Sequence, residues 1–458
     1  MGFDLHLELK GPGLGQALEA ALRDGVRSGQ LPPGTRLPGT RQLAADLGVA
    51  RGTVVQVFAQ LTAEGWLTAV GGSGTRVASV TTTDKPATTT RSPRLDLRPG
   101  RPDVAAFPRA AWAASVRRVL ATADAALLNY PHAAGLPALR TVLADYVART
   151  RGVRATADAV VVTAGFRHGL ALLARALPQA GLRTMAVENP SFELHRQILA
   201  SGGLETVPLP VDADGADPAA LPPGPGAAIL TPAHQHPLGA TLTDERRAAF
   251  AAWARRHGGY LIEDDYDGEF RYDKRAVGAV QAINPKHIVY AGSTSKALAP
   301  GVRIGWLIVP DALRQSIVDV AGEMGAAVPA IDQLAFADFV ERGEYDRHIR
   351  RMRQVYARRR AELVARLAPI RVGGANAGLH ALVPVDDERR TVARAARAGL
   401  LLQGLHSPGY WTGAGLPSAV VVGYAAPPAH AWRPSLDLLT QVIRAAGPSL
   451  AARRRRRT

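Results

Sequence analysis

The chain contains no cysteine. That removes disulfides, thiolate metal sites and cysteine nucleophiles from consideration. No apolar run approaches the roughly 18 residues needed to span a bilayer. The first ten residues alternate charged and apolar side chains and do not read as a signal peptide. A cytoplasmic protein is expected. Lysine is also scarce: only Lys10, Lys85, Lys274, Lys286 and Lys296 occur, in a chain with 55 Lys plus Arg. Arginine has largely replaced lysine, so each remaining lysine is a candidate for chemistry that arginine cannot perform.

What is present is enough for a small domain and a large one. The chain has 458 residues, 47% of them hydrophobic, and a formal net charge of +16. A basic excess favours a polyanion such as DNA, although an Ala-, Arg-, Gly- and Pro-rich composition weakens that inference when taken alone.

Residues 1–78 read as the small domain. Leu14, Leu18, Ala21, Leu22 and Val26 recur at helical spacing. Leu31-Pro32-Pro33-Gly34 ends that helix, and a second covers about Thr40 to Leu47. After the turn Gly48-Val49-Ala50, a third runs from about Arg51 to Glu64, with Val54, Val55, Phe58 and Leu61 as its apolar side. Two short strands flanking Gly71 to Gly74 form a wing.

This order is a winged helix-turn-helix. Its recognition helix presents Arg51, Thr53 and Gln56 to base edges in a double-stranded operator, and Arg36, Arg41 and Arg76 to phosphates. The rival is a helical protein-interaction module with solvated arginines. Residues 79–95, rich in Thr and poor in apolar side chains, read as a flexible linker.

From residue 96 to 458 apolar strands alternate with helices, as in Val160-Val161-Val162, Met185-Ala186-Val187, Ala228-Ile229-Leu230 and Tyr260-Leu261-Ile262. The expected fold is α/β with a mainly parallel buried sheet, followed by a smaller C-terminal α+β portion. Arg453 to Arg457 read as a solvated tail, with non-specific DNA contact as the alternative.

The sharpest chemical signal is Gly292-Ser293-Thr294-Ser295-Lys296, with Arg303 seven residues on. Lysine forms a Schiff base with an aldehyde; Ser293, Ser295 and Arg303 suit a phosphate. Upstream, an apolar strand ends in Glu263-Asp264-Asp265-Tyr266-Asp267. Asp264 and Tyr266 alternate and so share a side. A carboxylate and a phenol there match the ring nitrogen and 3-oxygen of pyridoxal phosphate (PLP). An acidic strand end that binds a cation is the alternative. Gly165-Phe166 joins a strand to a helix, where backbone N–H groups can hold a phosphate. Phe192, after Asn189-Pro190, is placed to cover a ring, or else belongs to the core.

Two resemblances follow. Leu37 to Ala44, Gly48 to Val54 and Leu61 to Leu67 resemble the GntR family of bacterial regulators, apart from Gly39 where serine is frequent. The remainder, about residues 97–445, resembles a fold-type I, class I aminotransferase. The combination resembles the MocR/GabR subfamily, a view strengthened by Tyr130-Pro131…Gly135-Leu136 and Thr231-Pro232-Ala233-His234-Gln235-His236-Pro237-Leu238-Gly239.

The resemblance implies that Lys296 carries a PLP aldimine, with Asp264 on the pyridine nitrogen and Tyr266 on the 3-oxygen. It places Ser293, Ser295, Arg303, Gly165 and Phe166 at the phosphate, and Phe192 on the ring. It has Tyr130 lent across a homodimer. It assigns no metal. One departure stands out: Val421 occupies the position where class I aminotransferases grip the substrate carboxylate with arginine, with Arg433 and Arg371 as the candidates to replace it by folding back. The expected function is therefore a DNA-binding regulator that senses an amine, an amino acid or PLP itself. An aminotransferase with a vestigial DNA-binding head is the alternative, and a dimerisation scaffold the third reading.

Overall fold

The computed structural model describes residues 13–70, 74–78, 95–224, 226–273, 277–325, 327–413 and 415–445. The linker at 79–94, the wing tip Gly71 to Ser73 and the tail Arg453 to Arg457 lie outside them. The chain divides into two compact units between Arg91 and Ser92. Among the described residues, no helix is long and apolar enough to cross a membrane.

The first unit contains α1 (Leu14–Arg27), α2 (Thr40–Leu47) and α3 (Arg51–Ala63), then β1 (Leu67–Val70) and β2 (Gly74–Val77). β1 pairs antiparallel with β2, Leu67 opposite Val77. Its core unites Leu18, Leu22, Leu43, Val54, Phe58 and Leu61. Two apolar residues expected inside are outside: Leu14 is 56% exposed and Val55 46%. Val57, which the sequence reading passed over, takes the buried place. With Val54, Phe58 and Leu61 it completes an i, i+3, i+4, i+7 stripe. Gly39 precedes α2 without a side-chain cap. Gly48 closes α2 at φ 64, a left-handed turn that glycine adopts without a Cβ penalty.

The second unit is built on an eight-stranded sheet. Its strands are β3 (Val160–Thr163), β4 (Thr184–Asn189), β5 (Glu205–Asp212), β6 (Gly215–Ala216), β7 (Ala227–Leu230), β8 (Tyr260–Asp264), β9 (Ile288–Ser293) and β10 (Gly305–Ile308). The spatial order is β3-β10-β9-β8-β7-β4-β5-β6. β10 runs antiparallel to both neighbours, and β6 closes a hairpin on β5; the other pairs are parallel.

Alternate residues feed two cores, as the period of a buried strand requires. Met185, Val187, Ile229 and Ile262 pack on the side of the helix Phe166–Gln179. Ala186, Ala228, Leu230 and Leu261 pack against Phe250, Trp253 and Ala254 of the helix Asp244–His257. The parallel strands all end at one edge, where α/β folds place their ligands.

The helix Glu344–Leu367 leads into the smaller portion, a three-stranded sheet of Ala381–Pro384, Ala419–Val422 and Gln403–Gly404. Leu95, expected to end the linker, instead pairs in parallel with Leu400. The segment entering this unit is therefore stitched to the C-terminal portion from its first described residue.

Candidate cofactor site and DNA-binding head

At the C-terminal edge of the sheet, Phe166, Phe192, Asp264, Tyr266, Ser293, Ser295, Lys296 and Arg303 line one cavity of about 390 Å³. They come from the ends of β3, β8 and β9, from the approach to β10, and from the turn after β4. Gly165, with φ 90, lies against Arg303: a Cβ there would sit 3.3 Å from the guanidinium. A Cβ on Gly305 would meet the Gly165 Cα at 2.8 Å. Arg303 itself holds φ 57, the one non-glycine residue with positive φ among those described. Two glycines and a strained arginine thus leave a bare, cationic cradle beside the N-terminus of the helix Phe166–Gln179, the geometry that suits a phosphate.

Lys296 Nζ donates to the Gly100 carbonyl at 2.6 Å. Burial lowers its pKa below the ordinary lysine value, while Asp264 and Asp267 pull it partly back up. Asp264 is buried, and desolvation holds its carboxyl well above the usual range. No hydrogen bond or ion pair among the described residues uses that carboxyl. A buried, unpartnered carboxyl facing a cavity fits a ligand that brings an N–H, as a pyridine ring nitrogen does.

The neighbouring carboxylates are engaged elsewhere. Glu263 accepts from the Val280 and Gln281 N–H groups. Asp265 is bound by Arg151 at 2.6 Å and by the Tyr290 hydroxyl at 2.7 Å. The Tyr266 hydroxyl donates to the His234 carbonyl at 2.8 Å. Phe192 stacks on His236 with centroids 4.3 Å apart. Cradle, free carboxyl, phenol and lysine together fit PLP.

The cavity also contains residues to which the sequence reading gave no role: Arg101, Arg167, Glu188, His195, and His236, which appeared only within the Thr231–Gly239 motif. Desolvation pushes Glu188 up to about 7. The same effect pushes His195 down to about 3, so it is neutral at physiological pH. Tyr130 is not among the lining residues and is 98% exposed. Val421 is fully buried, opposite Leu382 and Gln403, in an apolar cluster with Leu405 and Tyr410. Arg371 and Arg433 are exposed and do not reach the cavity.

In the head, Arg51 opens α3, with Arg51 and Gln56 exposed and Thr53 half-buried. Arg41 on α2 and Arg36 are exposed as well. Arg76 is partly committed, donating to the Gly34 carbonyl at 2.9 Å.

Two family models match the chain: bacterial regulatory proteins of the gntR family over residues 14–77, and aminotransferase class I and II over residues 95–409. The HTH-type pyridoxine biosynthesis transcriptional regulator PdxR of Corynebacterium glutamicum is 34% identical, over 89% of this chain and 91% of that protein. This chain belongs to the GntR family of transcriptional regulators, in the MocR/PdxR-type branch that carries an aminotransferase-like domain. The probable rhizopine catabolism regulatory protein MocR of Rhizobium meliloti is also 34% identical, over 75% of each chain. The multiple substrate aminotransferase of Thermococcus profundus shares the fold of the large domain, with TM-score 0.68 and 20% identity over 78% of this chain and 92% of that one.

Two predictions follow from the geometry of this regulator. Gly165→Ala costs about 1–2 kcal/mol in backbone strain and presses on Arg303. It is expected to weaken PLP retention measured by equilibrium dialysis while leaving operator binding intact; unchanged PLP affinity would remove Gly165 from the cradle. In the head, Arg51→Ala is expected to cost about 1–3 kcal/mol on the operator and to relax specificity at one base pair. Arg41→Ala is expected to weaken all DNA alike and to lower the salt slope by about 0.9. Anisotropy titrations on operator and random duplexes distinguish the two; equal losses on both DNAs for Arg51→Ala reject base reading.

Proposed function

We propose that this regulator binds PLP in the 390 Å³ cavity, with Lys296 as its attachment point, and that occupancy of that cavity controls binding of its head to an operator. The observation that carries the reading is the convergence of Lys296, the unpartnered Asp264 carboxyl and the Arg303–Gly165 cradle on one cavity.

When bound, PLP supplies an aldehyde that condenses reversibly with amines. The protein's own side chains do the rest. Arg303, Ser293, Ser295 and the N–H groups at Gly165 and Phe166 hold the phosphate. Asp264 would receive the ring N–H, and the Tyr266 hydroxyl would serve the 3-oxygen. Phe192 covers the ring. Arg36, Arg41 and Arg76 clamp phosphates while Arg51, Thr53 and Gln56 read base edges. We place the protein in the cytoplasm as a homodimer. The exposed Tyr130 is offered to the partner subunit's site.

PLP itself is the favoured effector. The relative in Corynebacterium glutamicum is named for pyridoxine biosynthesis, and Val421, at the position where an amino-acid carboxylate would need a cation, is buried in an apolar cluster and does not line the cavity. The alternative, a working aminotransferase, rests on the presence of Lys296, Asp264 and Tyr266. The deciding experiment titrates the apo protein on its operator with PLP, then with a panel of amines and amino acids. PLP alone should shift operator affinity. A shift that requires an added amino acid would make the amino acid the effector, and no shift with any of them would reject the sensor.

A further inference from the structure

Beside Tyr266 and His236 lies a second polar group, enclosed in protein: His234, Asp267 and His380 are 1%, 2% and 1% exposed. One ligand atom of each lies within 4.8 Å of those of the other two. Their hydrogen bonds fix the tautomers. His234 Nδ1 is 2.9 Å from Asp267 Oδ2. With an ionised carboxylate that nitrogen carries the hydrogen, and Nε2 keeps its lone pair. His380 hydrogen-bonds the backbone of Pro237. Proline has no N–H, so the imidazole donates to the carbonyl.

His380 Nε2 has no partner, so the donor is Nδ1 and its Nε2 is again a lone pair. His234 Nε2 and Asp267 Oδ1 are unpartnered too. The Tyr266 hydroxyl donates to the His234 carbonyl at 2.8 Å and lies 3.2 Å from His234 Nδ1. The neighbouring His236 uses its Nε2 on the Tyr410 hydroxyl at 3.0 Å. Each of the three residues thus keeps a buried polar atom without a partner, and an ion replacing the hydrogen shared by His234 Nδ1 and Asp267 Oδ2 would bind the cluster together.

We propose that His234, Asp267 and His380 hold a divalent transition-metal ion of the zinc class. Two imidazole nitrogens and a carboxylate oxygen suit such an ion. His380 also gives its other ring N–H to the Pro237 carbonyl, the support that ligating histidines commonly have. The ion would fasten the segment after β7 and the end of β8 to the residues that lead into Ala381–Pro384. It would be structural, and it draws on residues to which PLP binding assigns no role. Its success or failure is therefore separable from that of the effector reading.

The test uses the full chain, purified without a histidine tag, and measures metal by mass spectrometry before and after chelation and re-addition of Zn²⁺. About one tightly held zinc per chain is expected. His380→Gln and Asp267→Asn should each weaken Zn²⁺ binding by about 10–100-fold. Lys296→Ala should bind zinc as the parent does. Folding of each variant is checked by circular dichroism. Wild-type protein that is folded and takes up no zinc beyond background would overturn the proposal, whatever the variants do. So would uptake that survives both His380→Gln and Asp267→Asn.

Discussion

Lys296→Ala is expected to abolish the visible chromophore of the PLP-loaded protein and the covalent retention of PLP through gel filtration. Lys296→Arg is expected to do the same, because a guanidinium keeps its charge and offers no nucleophilic nitrogen. The unmodified lysine should react readily. Burial lowers its pKa from the ordinary value of 10.5, so more of it is neutral at a given pH than for a solvated lysine.

Only the neutral amine attacks an aldehyde. The capture rate therefore rises with pH, and its midpoint is expected below the ordinary lysine range. Asp264 opposes the fall, so Asp264→Asn should move the midpoint lower still. Stopped-flow mixing of apo protein with PLP across a pH series measures both. A midpoint at or above that of free lysine, or a chromophore that persists in Lys296→Ala, would contradict the assignment.

Turnover of common α-amino acids is expected to be orders of magnitude below that of working aminotransferases, even where those amino acids react with bound PLP. Orientation is what is lacking. A bidentate arginine fixes a substrate carboxylate and with it the bond to be broken, and loss of such positioning has large effects on rate. Here the corresponding residue, Val421, is plugged into an apolar cluster with Leu405 and Tyr410. Arg371 and Arg433 stay outside. Of the other cavity arginines, Arg101 is held by Asp96 at 2.8 Å, and Arg303 belongs to the phosphate cradle in the proposed arrangement. Arg167 remains, exposed at the mouth. A product assay with a keto-acid acceptor decides the matter. Steady-state rates near about 10 s⁻¹, typical of enzymes, would make catalysis the primary activity.

The parts of the cavity legible beforehand are those encoded within short stretches. Ser293 to Arg303 is one loop, and the alternation of Asp264 and Tyr266 follows from strand period. Residues of both sets line one cavity. What escaped depends on pairing across the chain. Nothing near Asp265 announces that Arg151, more than a hundred residues away, neutralises it. His195, Arg167 and Glu188 reach the cavity only because the strand order brings β3, β4 and β8 to one edge.

Likewise in α3, four apolar residues between Val54 and Phe58 admit more than one inward face. Packing against α1 selects Val57 and leaves Val55 in solvent. Tyr130 is exposed and lines no part of the cavity; in the proposed homodimer its contacts would come from the other subunit.

Gly100 accepts the Lys296 ammonium, and five residues earlier Leu95 is knitted to Leu400. Those residues are also where the chain departs toward the DNA-binding head. A lysine nitrogen that has taken a carbon substituent has fewer hydrogens to give the Gly100 carbonyl. In the proposed arrangement, attachment at Lys296 would therefore release the Gly100 carbonyl, five residues from the Leu95–Leu400 pair.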